Sequence, residues 1–127
     1  MNEEKDAVRG RILLVEDEMV VAMLLEDMLD EIGFEVVATA SREMEAVAAI
    51  EAHPIDAAIL DVNLDGKRSY GIADALIARG IPFLFSTGYG EMALEPKYRQ
   101  QKVLTKPFRM EELACALGSL LSGEPGE

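Results

Sequence analysis

The sequence predicts an α/β fold: a doubly wound, five-stranded parallel sheet with helices on both faces. Two observations lead there. Short apolar runs of strand length alternate with segments of helical period along the whole chain, and acidic residues close the first and third of those runs. The length of 127 residues adds a third, since it suits one such sheet and leaves no room for a second domain.

Residues 1 to about 10 are polar and read as a flexible arm. Arg11–Val15 is a compact apolar run and the first strand. Residues 18–32 place Val21, Leu24, Leu25, Met28 and Ile32 on one helical stripe, and Gly33 stands where a helix end favours a left-handed residue. Residues 34–38 form a second strand. Ser41 is placed to cap a helix running to Ile50, with Met44, Val47 and Ile50 facing inward. Residues 56–60 make the third strand, and residues 69–79 a helix that ends at Gly80. Residues 82–86 and 102–105 supply two further strands, and residues 110–121 the last helix. The rhythm fails between Gly88 and Gln101: Pro96 interrupts the expected fourth helix, so that helix should be short or mobile. The tail, residues 122–127, holds two glycines and a proline and should fray. Right-handed crossovers between parallel strands make the doubly wound arrangement the natural solution.

Composition narrows the function. Half the residues are apolar, which argues against disorder. Twenty-four acidic residues against twelve basic ones give a net charge of −12, a surface that repels nucleic acid and anionic membrane. Most of that excess acid is accounted for by solubility, and it also suits metal cations or a basic partner. Cys115 is the single cysteine, so no intrachain disulfide forms. No apolar run reaches the roughly 20 residues of a membrane span, and the charged N-terminus lacks a signal-peptide apolar region. The expected location is cytoplasmic. His53, before Pro54, reads as a helix-to-strand boundary residue. Cys115 and most methionines read as core filler on helix faces.

The chemistry concentrates at strand ends. In an open parallel sheet, ligands bind beyond the carboxyl ends of the strands, where the strand order reverses. Glu16-Asp17 follow the first strand directly and Asp61 ends the third. If these strands are neighbours, as in the flavodoxin-like order 2-1-3-4-5, the acids meet. At about 4 Å and an effective dielectric near 20, each like-charge pair costs roughly 4 kcal/mol. A hard divalent cation with oxygen ligands offsets that repulsion, and magnesium suits carboxylates, waters and a phosphate together. Lys106 brings a second positive charge to the same edge. Val15-Glu16-Asp17-Glu18 replaces any glycine-rich phosphate loop, which excludes dinucleotide binding of that kind.

Glu16-Asp17, Asp61, Thr87 and Lys106-Pro107 occur in this order, each at a strand end, and the ordered set resembles the CheY-like receiver domains of two-component response regulators. The likeness spans residues 11–121 and implies the order 2-1-3-4-5. It implies that Asp61 takes a phosphoryl group from a histidine kinase. Asp17 would ligate Mg2+ (or Mn2+) directly and Glu16 through water, with Asp61 and the main-chain carbonyl of Asn63 completing the protein ligands. Thr87 would hydrogen-bond the phosphoryl group and Lys106 would pair with it, across a cis Lys106–Pro107 bond. Phe85-Ser86-Thr87-Gly88-Tyr89 is similar to the signature of the FAT GUY receivers, with Ser86 in place of Ala. Members of that group are commonly stand-alone domains, work with kinases of the HWE or a related type, and have an unsettled fourth helix.

Two departures matter. Glu16 stands where Asp is commoner, and Val103 stands where most receivers carry an aromatic that turns inward on phosphorylation. Tyr89 is the expected substitute, so Thr87, Tyr89 and Pro107 form the expected switch. The function expected is a phosphorylation-controlled protein–protein interaction module rather than an enzyme, with a histidine kinase upstream and a protein target downstream. The alternatives are a phosphate sink, a degenerate receiver that only docks, and a small metal-dependent phosphatase. Asn63 stands against the last, because the D-x-D pattern would need an acid there.

Overall fold

A computed structural model describes residues 9–64, 66–88 and 94–122. Strands β1 (Arg11–Val15), β2 (Glu35–Ala40) and β3 (Ala57–Asp61) alternate with helices α1 (Met19–Glu31) and α2 (Glu43–Ala52). Two short strands, β4 (Asn63–Leu64) and β5 (Lys67–Arg68), precede α3 (Tyr70–Ala78), and β6 (Phe83–Thr87), β7 (Lys102–Thr105) and α4 (Met110–Ser122) complete the order. The main sheet runs β2-β1-β3-β6-β7 with every pairing parallel, which is the flavodoxin-like order expected.

Its two faces bury separate clusters. Leu13, Val15, Leu60, Phe83 and Phe85 pack under α2 and α3. Ile12, Leu14, Ile59 and Leu84 pack under α1 and α4. Two of the three interior strands, β3 and β6, are buried at every position, as suits strands covered on both faces. Gly33 (φ +99°) and Gly80 (φ +70°) end α1 and α3 in the left-handed region. There Phe34 N–H donates to Leu29 O at 2.9 Å and Ile81 N–H to Leu76 O at 3.0 Å, which closes each helix and turns the chain into the sheet.

Several expectations need correction. The third strand runs one residue later than the range 56–60, while Asp61 ends it as expected. Ser41 does not cap α2: Arg42 holds that position, and Ser41 instead donates its N–H and hydroxyl to Glu45 Oε1 at 2.9 and 3.1 Å. That pairing, beside the positive end of the helix, holds the Glu45 carboxyl below the usual range. Met44 is 83% exposed rather than inward, because Ala46 and Ala49 let α2 sit close on its other side. Leu24, Met19 and Met23 are exposed too, as is Cys115, so these are not core residues. The antiparallel β4–β5 pair was not expected at all.

In the connection from β6 to β7 the described residues hold only one 3-10 turn, Pro96–Tyr98. Residues 89–93, on which part of the expected fourth helix falls, lie outside those described, as do most of the expected arm and tail. Aromatic packing fastens the turn. Tyr98 stacks on Tyr70 with ring centroids 4.1 Å apart, and Phe85 meets both rings edge-on at 6.3 Å. The Tyr98 hydroxyl donates to Asp74 Oδ1 at 2.8 Å, and Glu95 N–H donates to the Tyr70 hydroxyl at 2.8 Å.

Candidate functional site

Neighbouring strand ends deliver the acidic side chains to one place. β1 and β3 are paired, so Glu16, just past Val15, comes beside Asp61 at the end of β3. Glu16 is 3% exposed and Asp61 6%, while Asp17 turns outward. Carboxylate oxygens of Glu16, Asp17 and Asp61 lie within 4.8 Å of one another. Asp17 and Asp61 are therefore close enough to share one cation, the condition on which the sequence reading rests.

Lys106 is the counter-charge. Its Nζ lies 3.1 Å from Glu16 Oε1 and 3.2 Å from Asp61 Oδ2. Burial alone would lower the Lys106 pKa, but the Asp61 charge and the contacts with Glu16 outweigh it and raise the pKa. Glu16 moves upward as well, first because burial disfavours its charge and then because Asp61 repels it; Lys106 only partly offsets this. One ammonium among three carboxylates leaves negative charge in excess, and the donors are hard oxygens. That set fits a divalent cation such as Mg2+.

Main-chain donors hold the acids in place. Asn63 N–H donates to Asp61 Oδ1 at 3.1 Å and Glu18 N–H to Glu16 Oε2 at 3.2 Å. Beneath them Ser69, 1% exposed, donates its hydroxyl to the Asp61 carbonyl at 2.6 Å and its N–H to Val62 O at 2.9 Å. Ser69 thus ties the loop after β3 to the strand end that carries Asp61. It escaped sequence reading, where it was only a helix start; a serine before a helix that follows an acidic strand end was its one signal.

A cavity of about 390 Å³ opens over these groups, lined by Asp17, Glu18, Asp61, Asn63, Gly66, Thr87, Gly88 and Lys106. Thr87, 3% exposed, ends β6 at its wall, and its carbonyl accepts Lys106 N–H at 2.8 Å. The Lys106–Pro107 bond is cis. Pro107 does not line this cavity; with Phe108 it borders an apolar hollow beside Val21, Leu24, Leu25 and Met28. Tyr89, the expected switch aromatic, lies outside the described residues. Val103 pairs in register with Phe85, and the aromatic rings beside Phe85 come from Phe83, Tyr70 and Tyr98, none of which the sequence singled out as a switch.

A doubly wound sheet whose carboxyl edge gathers three acids and a lysine defines the class, and the family follows. The chain belongs to the response regulator receiver domain family, whose profile matches residues 12–117. It is similar to the transcriptional regulatory protein PdtaR of Mycobacterium tuberculosis, 32% identical over 115 residues, which are 87% of this chain and 56% of that protein. The chain thus spans about half the length of the curated relatives it matches first. Among solved structures it resembles SdrG from Sphingomonas melonis Fr1, at 46% identity and a TM-score of 0.78, covering 87% of this chain and 95% of that one. The PhyR receiver domain of Erythrobacter litoralis gives a TM-score of 0.81 at 23% identity, covering 94% of this chain and 95% of that one, a likeness of fold alone. Receiver domains of two-component systems are generally non-enzymatic signalling domains that interact with kinases and downstream targets and bind Mg2+ at an acidic pocket. No described helix is long and apolar enough to cross a membrane.

Proposed function

We propose that this receiver domain accepts a phosphoryl group from a histidine kinase on Asp61, with Mg2+, and thereby switches its binding to a protein target. The observation that carries the reading is the Lys106 ammonium bridging Glu16 and Asp61 within a three-carboxylate cluster. Asp17 and Asp61 would hold the ion directly, with Glu16 through water and the Asn63 carbonyl as a fourth protein group. When bound, Mg2+ supplies positive charge against the carboxylates and the incoming phosphoryl oxygens.

Phosphoryl transfer needs alignment and charge neutralisation more than covalent help from the protein. Asn63 N–H fixes one Asp61 oxygen and Lys106 reaches the other, so the carboxylate is presented in a set orientation. Thr87, on the cavity wall, donates its hydroxyl to the phosphoryl group once that group is in place. Lys106 follows the new charge. The connection held by Tyr70 and Tyr98 begins at Thr87, so a shift there reaches the surface that a target reads. A beryllofluoride-activated conformation of SdrG supports the same reading for a similar chain.

Leu24 lines the hollow beside Pro107 and, with Met19, Val20 and Met23, is an exposed apolar side chain on α1, which supports docking of the kinase on this helix. A kinase of the HWE type and a cytoplasmic setting complete the proposal. Incubation with acetyl phosphate and Mg2+, followed by intact-mass spectrometry, tests it. One phosphoryl mass on the wild type, absent from Asp61→Asn, is expected. No adduct on the wild type leaves a docking module without phosphorylation.

A further inference from the structure

β6 carries a polar side chain that the proposed chemistry does not use. Ser86 is 1% exposed, and its hydroxyl has no hydrogen-bond partner among the described residues. A buried hydroxyl in that condition is rare, because it gives up hydrogen bonds to water and receives none in exchange. Its Cα pairs in register with Asp61 on one side and Leu104 on the other. Side chains alternate along a strand, so Ser86 leaves the sheet on the face of Leu84, under α1 and α4. By the same alternation Asp61 follows Ile59, and Glu16 follows Leu14, onto that face.

Strand order decides what passes over Ser86. Lys106 follows β7, whereas the carboxylates it touches belong to β3 and the end of β1. β6 lies between β7 and β3, so the Lys106 side chain crosses β6 at its carboxyl end, where Ser86 and Thr87 stand. An ammonium has three N–H donors, and Glu16 Oε1 and Asp61 Oδ2 accept two of them.

We propose that Ser86 is a positioning residue for Lys106: its hydroxyl accepts the third N–H when the ammonium moves from Asp61 Oδ2 to a phosphoryl oxygen. The inference rests on the phosphoacceptor reading of Asp61 and adds a residue to it. With acetyl phosphate as donor, an Asp61 oxygen forms the new bond to phosphorus while the bond from phosphorus to the acetate oxygen breaks, and its electron pair leaves as acetate. Asp61 loses its charge in that step and the negative charge now sits further out, on the phosphoryl oxygens. Lys106 has to follow it. A hydroxyl on the strand beneath its path steadies the ammonium at that point.

The test uses the whole chain with Mg2+ and acetyl phosphate, following the phosphoryl mass on wild type, Ser86→Ala and Ser86→Thr across donor concentrations. Ser86→Ala should lower the maximal labelling rate about tenfold at an unchanged half-saturating donor concentration, and Ser86→Thr should restore it. The Lys106 Nζ resonance should differ between wild type and Ser86→Ala in the beryllofluoride-loaded protein and coincide in the free one. Wild-type rates in Ser86→Ala, beside a wild type that labels normally, overturn the inference and leave the phosphoacceptor reading intact. A wild type that never labels overturns both. A rate lost together with melting temperature, and not recovered by threonine, makes Ser86 a packing residue and also overturns the inference.

Discussion

Neutralising Asp61 should stabilise the metal-free protein even as it abolishes phosphorylation. Carboxylates of Asp61, Glu16 and Asp17 approach within 4.8 Å of one another, and Asp61 and Glu16 are both buried. At that distance and an effective dielectric near 20, the Asp61–Glu16 repulsion is about 3.5 kcal/mol; exposed Asp17 adds about 1 kcal/mol at a more water-like dielectric. Removing the desolvated charge on Asp61 recovers roughly a further 3 kcal/mol. Against this stands the attraction of Lys106 at 3.2 Å, about 5 kcal/mol on the same scale. Lys106 keeps Glu16 as a partner in Asp61→Asn, and the amide oxygen still accepts a hydrogen bond. The balance is a gain of about 2.5 kcal/mol, or roughly 5–10 °C in melting temperature for a domain of this size. The assay is thermal unfolding by circular dichroism in EDTA and again in excess Mg2+. The wild type should gain about 2.7 kcal/mol at a hundredfold excess of Mg2+ over its Kd, closing most of the gap, while the variant gains less. An Asp61→Asn protein that melts at or below the wild type in EDTA would refute the view that these carboxylates repel one another in the fold.

Other perturbations have definite expected outcomes. Tyr98→Phe keeps the ring stack but loses the bond to Asp74, and should cost about 1 kcal/mol in urea unfolding. Phe85→Ala removes a fully buried ring that touches Phe83, Tyr70 and Tyr98, and should cost about 3–5 kcal/mol by the same measurement. The Asp74 carboxyl is held below the usual range by the Tyr98 hydroxyl and then by Lys97. Its stabilisation is therefore present above the ordinary Asp pKa and lost as pH falls through the lowered folded value. Its side chain is 49% exposed, so the amount is under about 1 kcal/mol. Asp74→Asn should flatten the acid limb of a pH–stability curve by that amount; an unchanged limb would show that the contact carries none of it. Asp17→Ala should weaken Mg2+ binding, read by calorimetry, while leaving the wild-type circular dichroism spectrum unchanged.

Much of the framework was legible along the chain because it rests on local rules. Apolar runs of strand length marked all five strands of the main sheet, and Gly33 and Gly80 marked two helix ends through the left-handed backbone each adopts. The acids and the lysine were legible by position, since a side chain at the end of a parallel strand has one edge to occupy. What escaped depends on neighbours distant in sequence. Helical period marks a stripe but not the rotation at which the helix beds down: α2 buries Ala46, Ala49 and Ile50 and leaves Met44 in water. Ser69 and Ser86 looked alike as small polar residues; one is tied to the Asp61 carbonyl and the other is buried with no hydrogen-bond partner among the described residues.

The sequence by itself determined the order of the five main-sheet strands along the chain, the parallel α/β class and which residue types stand at the strand ends, because propensity and periodicity act over a few residues at a time. Only the tertiary structure decided that Glu16, Asp17 and Asp61 come within 4.8 Å, that Lys106 reaches across β6 to two of them, and that Tyr70 and Tyr98 stack beside Phe85. Those distances follow from strand order and from how closely each helix packs on the sheet. Both are set by burying all the apolar faces at once, and no single segment carries that information.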